Sequence, residues 1–479
     1  MTDLKSRWLA LYVLCLGDLM IVLDSSIVNV ALPSIQDDLG FSQSALAWVV
    51  NAYLLTFGGF LLLSGRLGDL LGSKRVFLGG VIAFTAASVA CGLAPTAELL
   101  VAGRAVQGLG GAAVSAVALS LIMDLFSDPG ERARAMGFFG FVMSGGGAVG
   151  VLLGGVLTGL FSWHWIFLVN VPIGLGVWVA ATRVLPADGT LERRGRLDVL
   201  GAVLVTAALV LSVYAIVSST WPLLGASAVL LAAFVLRESR TADPLVPLRL
   251  FRLRNVVVSQ VVGVLWAAAM FAWFFLSALY LQQVLGYDAL EVGLAFIPTS
   301  VVMAFCSLRV SDRLVMRFGI RPPLVAGLGL AAISLLLFSR APVDGSFLTD
   351  VLPSMLLLGA GAGIAFNPVL LAAMGDVEPH ESGLASGLVN TSFMMGGALG
   401  LAVLVALSTA RTESLAASGA GALEALNGGF QLAFAVGAAS AALAALVGGT
   451  LLRPKPMVMP ELDGDADADP AAEACPEVA

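Results

Sequence analysis

Trp8-Leu9-Ala10-Leu11-Tyr12-Val13-Leu14-Cys15-Leu16-Gly17-Asp18-Leu19-Met20-Ile21-Val22-Leu23-Asp24-Ser25-Ser26-Ile27-Val28-Asn29-Val30-Ala31 is a run of predominantly apolar residues whose only charges are Asp18 and Asp24. A helix of that length is about 36 Å long, enough to cross a hydrocarbon core of about 30 Å. It is too long for a signal-peptide core, and two acids in the middle of such a core would be out of place. A membrane-crossing helix is the expectation, and its two acids need an explanation because charge at membrane depth is costly.

Outward from this stretch the pattern repeats. Hydrophobic residues fill 59% of the 479 positions and charged residues 12%, a balance outside the range of soluble domains. A window of about 19 residues divides the chain into fourteen apolar stretches, with approximate limits 8–31, 46–64, 76–94, 98–122, 135–159, 164–184, 198–217, 221–237, 256–283, 289–309, 322–339, 351–373, 384–408 and 430–452. Each is expected to be a helix, because lipid offers no partner for backbone polar groups. Barrel strands would be half as long and would alternate in polarity. The fold class read from the chain is therefore an all-α membrane protein.

The bases fix the orientation. Lys5, Arg7, Arg66, Lys74, Arg75, Arg132, Arg134, Arg183, Arg193, Arg194 and Arg196 all fall on one side of a fourteen-span arrangement. So do Arg237, Arg240, Arg249, Arg252, Arg254, Arg309, Arg313, Arg317, Arg321, Arg453 and Lys455; only Arg340 and Arg411 fall opposite. By the positive-inside rule that side is cytoplasmic, and it holds both termini. The net charge of −7 does not mark a partner: Glu461, Asp463, Asp465, Asp467, Asp469, Glu473 and Glu477 account for it. The segment 453–479 reads as a disordered acidic tail.

Fourteen spans divide as six, two and six: a six-helix bundle over 1–184, two inserted helices with their linkers over 185–254, and a second six-helix bundle over 255–452. A parallel repeat of this kind is common in secondary carriers. Its trace is the overlay of Leu67-Gly68-Asp69-Leu70-Leu71-Gly72-Ser73-Lys74 on Leu314-Val315-Met316-Arg317-Phe318-Gly319-Ile320-Arg321, where Leu, Gly and the terminal base recur.

Five motifs lie in order along the chain. Leu23-Asp24-Ser25-Ser26-Ile27-Val28-Asn29-Val30-Ala31-Leu32-Pro33 closes the first span. Gly65-Arg66-Leu67-Gly68-Asp69-Leu70-Leu71-Gly72-Ser73-Lys74-Arg75 joins the second to the third, with glycines for close packing and charges that can pair and part. Gly103-Arg104-Ala105-Val106-Gln107-Gly108-Leu109-Gly110-Gly111 lies in the fourth span. Trp163-His164-Trp165-Ile166-Phe167-Leu168-Val169-Asn170-Val171-Pro172-Ile173-Gly174 opens the sixth. Asn390-Thr391 precedes Gly396-Gly397-Ala398-Leu399-Gly400. Together they resemble the major facilitator superfamily, and within it the fourteen-span drug:proton antiporters. The resemblance implies the major facilitator fold and proton-coupled efflux. It also implies that Gly65, Asp69, Gly72, Lys74 and Arg75 form a conformational gating loop, Asp69 steadying the outward-facing state.

Asp18 and Asp24 are the only acids well inside a span, and Arg104 is the only base so placed. The resemblance makes Asp24 the proton-coupling acid, and Asp18 either shares that task or is a structural acid bonded to a neighbouring helix. Six residues at about 100° each set the two acids roughly 120° apart, so one cavity need not receive both. Counting residues puts Arg104 at about the depth of Asp24. The expectation is one hydrated network of the two, with Gln107 bridging them or touching substrate.

Gly146, Gly150, Gly154 and Gly155 keep the small-residue character of the antiporter motif in span five, but Gly147 and Val151 stand where prolines are expected. His164 stands where the family usually has arginine, and reads as a packing residue. Asn51, Tyr53, Gln107, Trp266 and Trp273 are the candidates for a substrate cavity, apolar with a few polar groups; aromatic residues also serve as interfacial anchors.

The function expected is export of amphipathic organic compounds (antibiotics, drugs or an endogenous metabolite) across a bacterial cell membrane in exchange for protons. The alternative is a carrier of the same fold that takes up a defined nutrient. No Gly-Lys-Ser/Thr phosphate loop, His-Glu-x-x-His or Gly-x-Ser-x-Gly motif occurs, so neither an enzyme nor a cofactor or metal is expected. Orientation accounts for the basic loops, and nucleic acid is not expected as a partner. The expected partners are a small-molecule substrate, protons and the bilayer, with the chain acting as a monomer.

Overall fold

The computed structural model describes residues 4–126, 128–186, 198–241, 244–246, 248–374 and 382–453. Arg193, Arg194, Arg196, Lys455, His380 and the tail beyond residue 453 lie outside them. Among the described residues the chain is helical and has no strand. The helices are α1 (Leu4–Leu39), α2 (Gln43–Leu46), α3 (Trp48–Leu71), α4 (Ser73–Gly92), α5 (Ala97–Leu125), α6 (Pro129–Leu160), α7 (His164–Leu168), α8 (Asn170–Val184) and α9 (Val199–Val217). They continue as α10 (Pro222–Glu238), α11 (Arg254–Leu279), α12 (Ala289–Phe305), α13 (Asp312–Phe318), α14 (Arg321–Phe338), α15 (Leu352–Met374), α16 (Ser382–Ala417) and α17 (Ala422–Leu451).

Among the described residues, twelve helical segments are long and apolar enough to cross a membrane. The two segments of the fourteen-stretch reading outside that set are α6, whose last part Val149–Leu160 is a shorter apolar helix, and the 17-residue α10. The stretch 164–184 is broken, α7 giving way to α8 at Val169.

Local chemistry sets many of the helix ends. Thr96 caps α5 by accepting from Leu99 N–H, and Asp288 and Glu291 form a reciprocal capping box on α12. The α3–α4 turn needs Gly72, at φ 101°, and its counterpart between α13 and α14 is Gly319, at φ 78°. These are equivalent positions of the repeated loop, and both lie in backbone space that disfavours side chains.

The long helices pack in two groups. In the first, α5 lies against α3 and α4, α6 and α8 against α1, and α8 against α4; in the second, α11 lies against α16 and α17, and α14 against α15 and α17. The groups meet where α6 packs on α12 and α3 on α16. The pair α9–α10 stands at that seam, α9 touching both α3 and α16. Small residues allow these approaches: a side chain at Gly110 would meet Phe84 N of α4, and one at Gly396 would meet Val264 Cα of α11.

Candidate functional site

Asp24 and Arg104 meet in the middle of the first group, both fully buried. The guanidinium of Arg104 pairs through Nη1 with Asp24 Oδ2. Its Nε donates to the Val49 carbonyl at 2.9 Å, and Nη1 also donates to Gln107 Oε1 at 2.9 Å. Asp24 Oδ1 accepts from Gln107 Nε2 at 3.0 Å and from Asn170 Nδ2 at 2.9 Å. Gln107 Nε2 also donates to Ser88 Oγ at 2.8 Å. The Tyr53 ring covers the guanidinium, 4.4 Å from centroid to Cζ, and Phe167 lies at 5.7 Å. Six helices (α1, α3, α4, α5, α7 and α8) thus converge on one ion pair.

Fully buried charges are tolerated only when paired and hydrogen-bonded. Here both conditions hold, and removing one partner of such a pair typically costs about 3–5 kcal/mol. The glycines around Arg104 make the convergence possible. A side chain at Gly103 would meet Cys91 Sγ, and one at Gly108 would meet the Tyr53 carbonyl.

Asp18 occupies a second buried position on α1 and also reaches α5, accepting from Ser115 Oγ at 2.5 Å. Both acids of α1 therefore bond to α5, although they point about 120° apart on their own helix. Beyond the expected residues, the site draws on Asn170, Ser88, Ser115 and Phe167. Asn170 carried a signal, as an amide inside the aromatic motif that opens the sixth span. The two serines carried none, because serine is common in membrane helices.

The other anticipated residues sit elsewhere. Lys74 caps the end of α8, donating to the Thr182 and Leu185 carbonyls at 3.1 and 2.6 Å. Arg75 lines a cavity of about 390 Å³ with Leu67, Leu71 and Gly79. Asp69 is in the last turn of α3 beside Gly68, which packs on Val117; Gly65 faces open space. Asn51 is buried, and neither of its amide atoms has a hydrogen-bond partner among the described residues. Trp273 packs edge-on against Phe274, Phe296 and Phe338, and Trp266 is buried in the same helix. No ring contact or hydrogen bond joins either tryptophan to Arg104 among the described residues. His164 stacks on Trp163 at 3.8 Å.

The glycines of α6 divide between two neighbours. Side chains at Gly146, Gly150 and Gly154 would meet Val22, Leu23 and Ile27 of α1, whereas one at Gly155 would meet Ala289 and Gly293 of α12. Gly147, at a position where proline is expected, faces open space. Among the described residues no group of three or more His, Cys, Asp or Glu side chains is placed to hold a metal ion.

A family model described as Major Facilitator Superfamily matches residues 14–401. The puromycin resistance protein pur8 of Streptomyces alboniger is 40% identical over 418 residues, covering 85% of this chain and 83% of the relative. The cephamycin export protein CmcT of Amycolatopsis lactamdurans is 40% identical over 419 residues, covering 84% and 85%. Among solved structures, an auto-inhibited POT family peptide transporter superposes with a TM-score of 0.68 at 16% identity, covering 95% of this chain and 98% of that one; this likeness concerns the fold alone. With the family model spanning most of the chain and the apolar helices packed in two groups, the chain is a multi-pass membrane protein that belongs to the Major Facilitator Superfamily.

Proposed function

We propose that this chain exports amphipathic organic compounds, antibiotics among them, across a bacterial cell membrane in exchange for protons. The observation that carries efflux is the 40% identity, over more than four-fifths of both chains, to a puromycin resistance protein and a cephamycin exporter. A lincomycin resistance protein of Streptomyces lincolnensis, 38% identical over 416 residues, supports the same reading. Proton exchange rests on the site: two buried acids on α1, one of them tied to the only buried arginine among the described residues.

In this reading the chain crosses the membrane fourteen times, with α6 and α10 among the spans and both termini in the cytoplasm. Residues 1–184 and 255–452 are the two moving bundles, and α9–α10 is a pair inserted between them. Alternating access opens the seam between the bundles to one side at a time. Asp18, Asp24 and Arg104 form the coupling site, and Asn51, Tyr53 and Gln107 offer polar contacts to substrate. Gly65, Asp69, Gly72, Lys74 and Arg75 steady one end of the cycle. The chain works as a monomer with protons, substrate and lipid as its partners.

The departure at Gly147 and Val151 favours one other reading, uptake of a defined nutrient by the same fold. Inverted membrane vesicles with an acid interior separate the two. Puromycin, lincomycin or a cephamycin added outside should enter the vesicles and partly collapse the gradient. No collapse and no accumulation with any of the three, in vesicles shown to contain the protein, would overturn the proposal.

A further inference from the structure

We propose that the two acids of α1 have different tasks: Asp18 takes up and releases the exchanged proton with Ser115 positioning it, while Asp24 stays paired with Arg104 through the cycle. This rests on the proton-exchange reading above and refines it.

The hydrogen bonding around the two carboxyls differs in kind. Asp24 accepts from a guanidinium and two amides, all buried. Protonating it would take the counter-charge from Arg104, which has no other acid as partner among the described residues. A buried cation would then be left unpaired. Asp18 accepts one hydrogen bond, from a neutral hydroxyl, and its Oδ2 has no partner among the described residues. The ionisable groups around it are Cys15, one turn back on α1, and Tyr53 of α3; no lysine, arginine or histidine pairs with it among the described residues. On the α4 and α5 sides the neighbouring Gly17 faces the apolar Phe77 and Val114. A change in the charge of Asp18 therefore breaks no ion pair.

Ser115 gives this carboxyl a way out. Asp18 is fully buried, whereas Ser115 is partly exposed. Eleven residues at about 100° each bring Ser115 within roughly 20° of Arg104 on α5, with Gly111 on the same stripe. Tyr53 connects the two levels. Its ring covers Arg104, and its hydroxyl donates to the Ile21 carbonyl at 3.4 Å, between the two acids. Substrate that displaces the Arg104 layer would move Tyr53 and, through it, the turn that carries Asp18. The step is a proton transfer alone. Water on the acid side gives a proton to the Asp18 carboxylate, and in the other state of the carrier the acid returns it to cytoplasmic water.

The test uses the full chain in proteoliposomes, with radiolabelled puromycin as probe and two assays: exchange of puromycin against puromycin without a pH gradient, and puromycin-dependent proton movement. Asp18→Asn should keep exchange within about twofold of wild type and lose proton movement. Asp24→Asn should lose both. Ser115→Ala should shift the midpoint of the pH profile of proton movement upward, because a donor to the anion is gone, and Ser115→Thr should restore it. Proton movement surviving in Asp18→Asn overturns the assignment. So does loss of exchange in an Asp18→Asn protein that stays monodisperse, since that marks a structural acid. Absence of proton movement in the wild type would instead remove the coupling reading itself.

Discussion

Gln283, in the helical turn that follows α11, donates its side-chain amide to Gln36 Oε1 of α1 at 3.0 Å, across the boundary between the two helix groups. Gln36 donates in turn to Gln43 at 3.2 Å, and Gln43 to Gln283 at 3.5 Å, closing a ring of three amides. The neighbouring Gln282 donates to the Val30 carbonyl at 3.0 Å. Gln282 and Gln283 stand in a π-helical turn, Tyr280–Val284, that ends the α11 segment; such turns occur often at functional positions. An uncharged ring can open and close without moving charge.

Gln283→Leu removes two of these hydrogen bonds. At about 0.5–1.5 kcal/mol each, their loss should shift the equilibrium toward separation of the α1 and α11 ends by roughly five- to 150-fold. Distance distributions between spin labels on the two ends should show a larger separated population. An unchanged distribution would mean that the ring does not hold this end closed.

Breaking the Asp24–Arg104 pair from either side should be costly. Asp24→Asn and Arg104→Gln are each expected to destabilise the chain by about 3–5 kcal/mol, read as a lower Tm and lower yield in detergent. The double variant should recover most of that stability, since neither charge of the pair is left without its partner, yet should not transport. Additive losses in the double variant would contradict the pairing.

The amide of Asn170 bridges α8 to Asp24. Asn170→Leu keeps an apolar helix but removes a hydrogen bond to a charged group, a loss of about 1.5–3 kcal/mol. Puromycin export should fall severalfold or more while the protein still reaches the membrane. Export at the wild-type level would remove Asn170 from the site.

Two glycines of α6 should respond oppositely to substitution. Gly155→Val puts a side chain against Ala289 and Gly293 of α12 and should wedge the two groups apart, abolishing transport. Gly147→Ala adds its methyl to open space and replaces a poor helix former, a gain of up to about 1 kcal/mol. Export assays with melting curves on the two variants decide this.

Residue counting alone brought Arg104 and Asp24 to one depth, because helix rise is a local constant; the structure brings them into contact and places Gln107 between them. Counting also set Asp18 and Asp24 about 120° apart, so that one cavity need not receive both. In the structure both bond to α5, because Ser115 and Arg104 lie eleven residues apart on that helix and so on one stripe of it. The aromatic residues show the limit of such reading. Trp273 looks in sequence like a cavity residue, yet packs in a cluster with rings from α12 and α14.

The sequence by itself determined that the chain crosses a membrane in helices and which acids and base lie at depth. These follow from the length and polarity of single segments in a solvent that satisfies no backbone group. Only the tertiary structure decided which helices meet: Asn170 reaches Asp24 from 146 residues away, Gly155 turns to α12 where its three neighbours turn to α1, and α9 stands at the seam. Helix geometry fixes where a residue sits on its own helix. Its partner depends on the register between helices, and that register is set by the packing of the whole molecule at once.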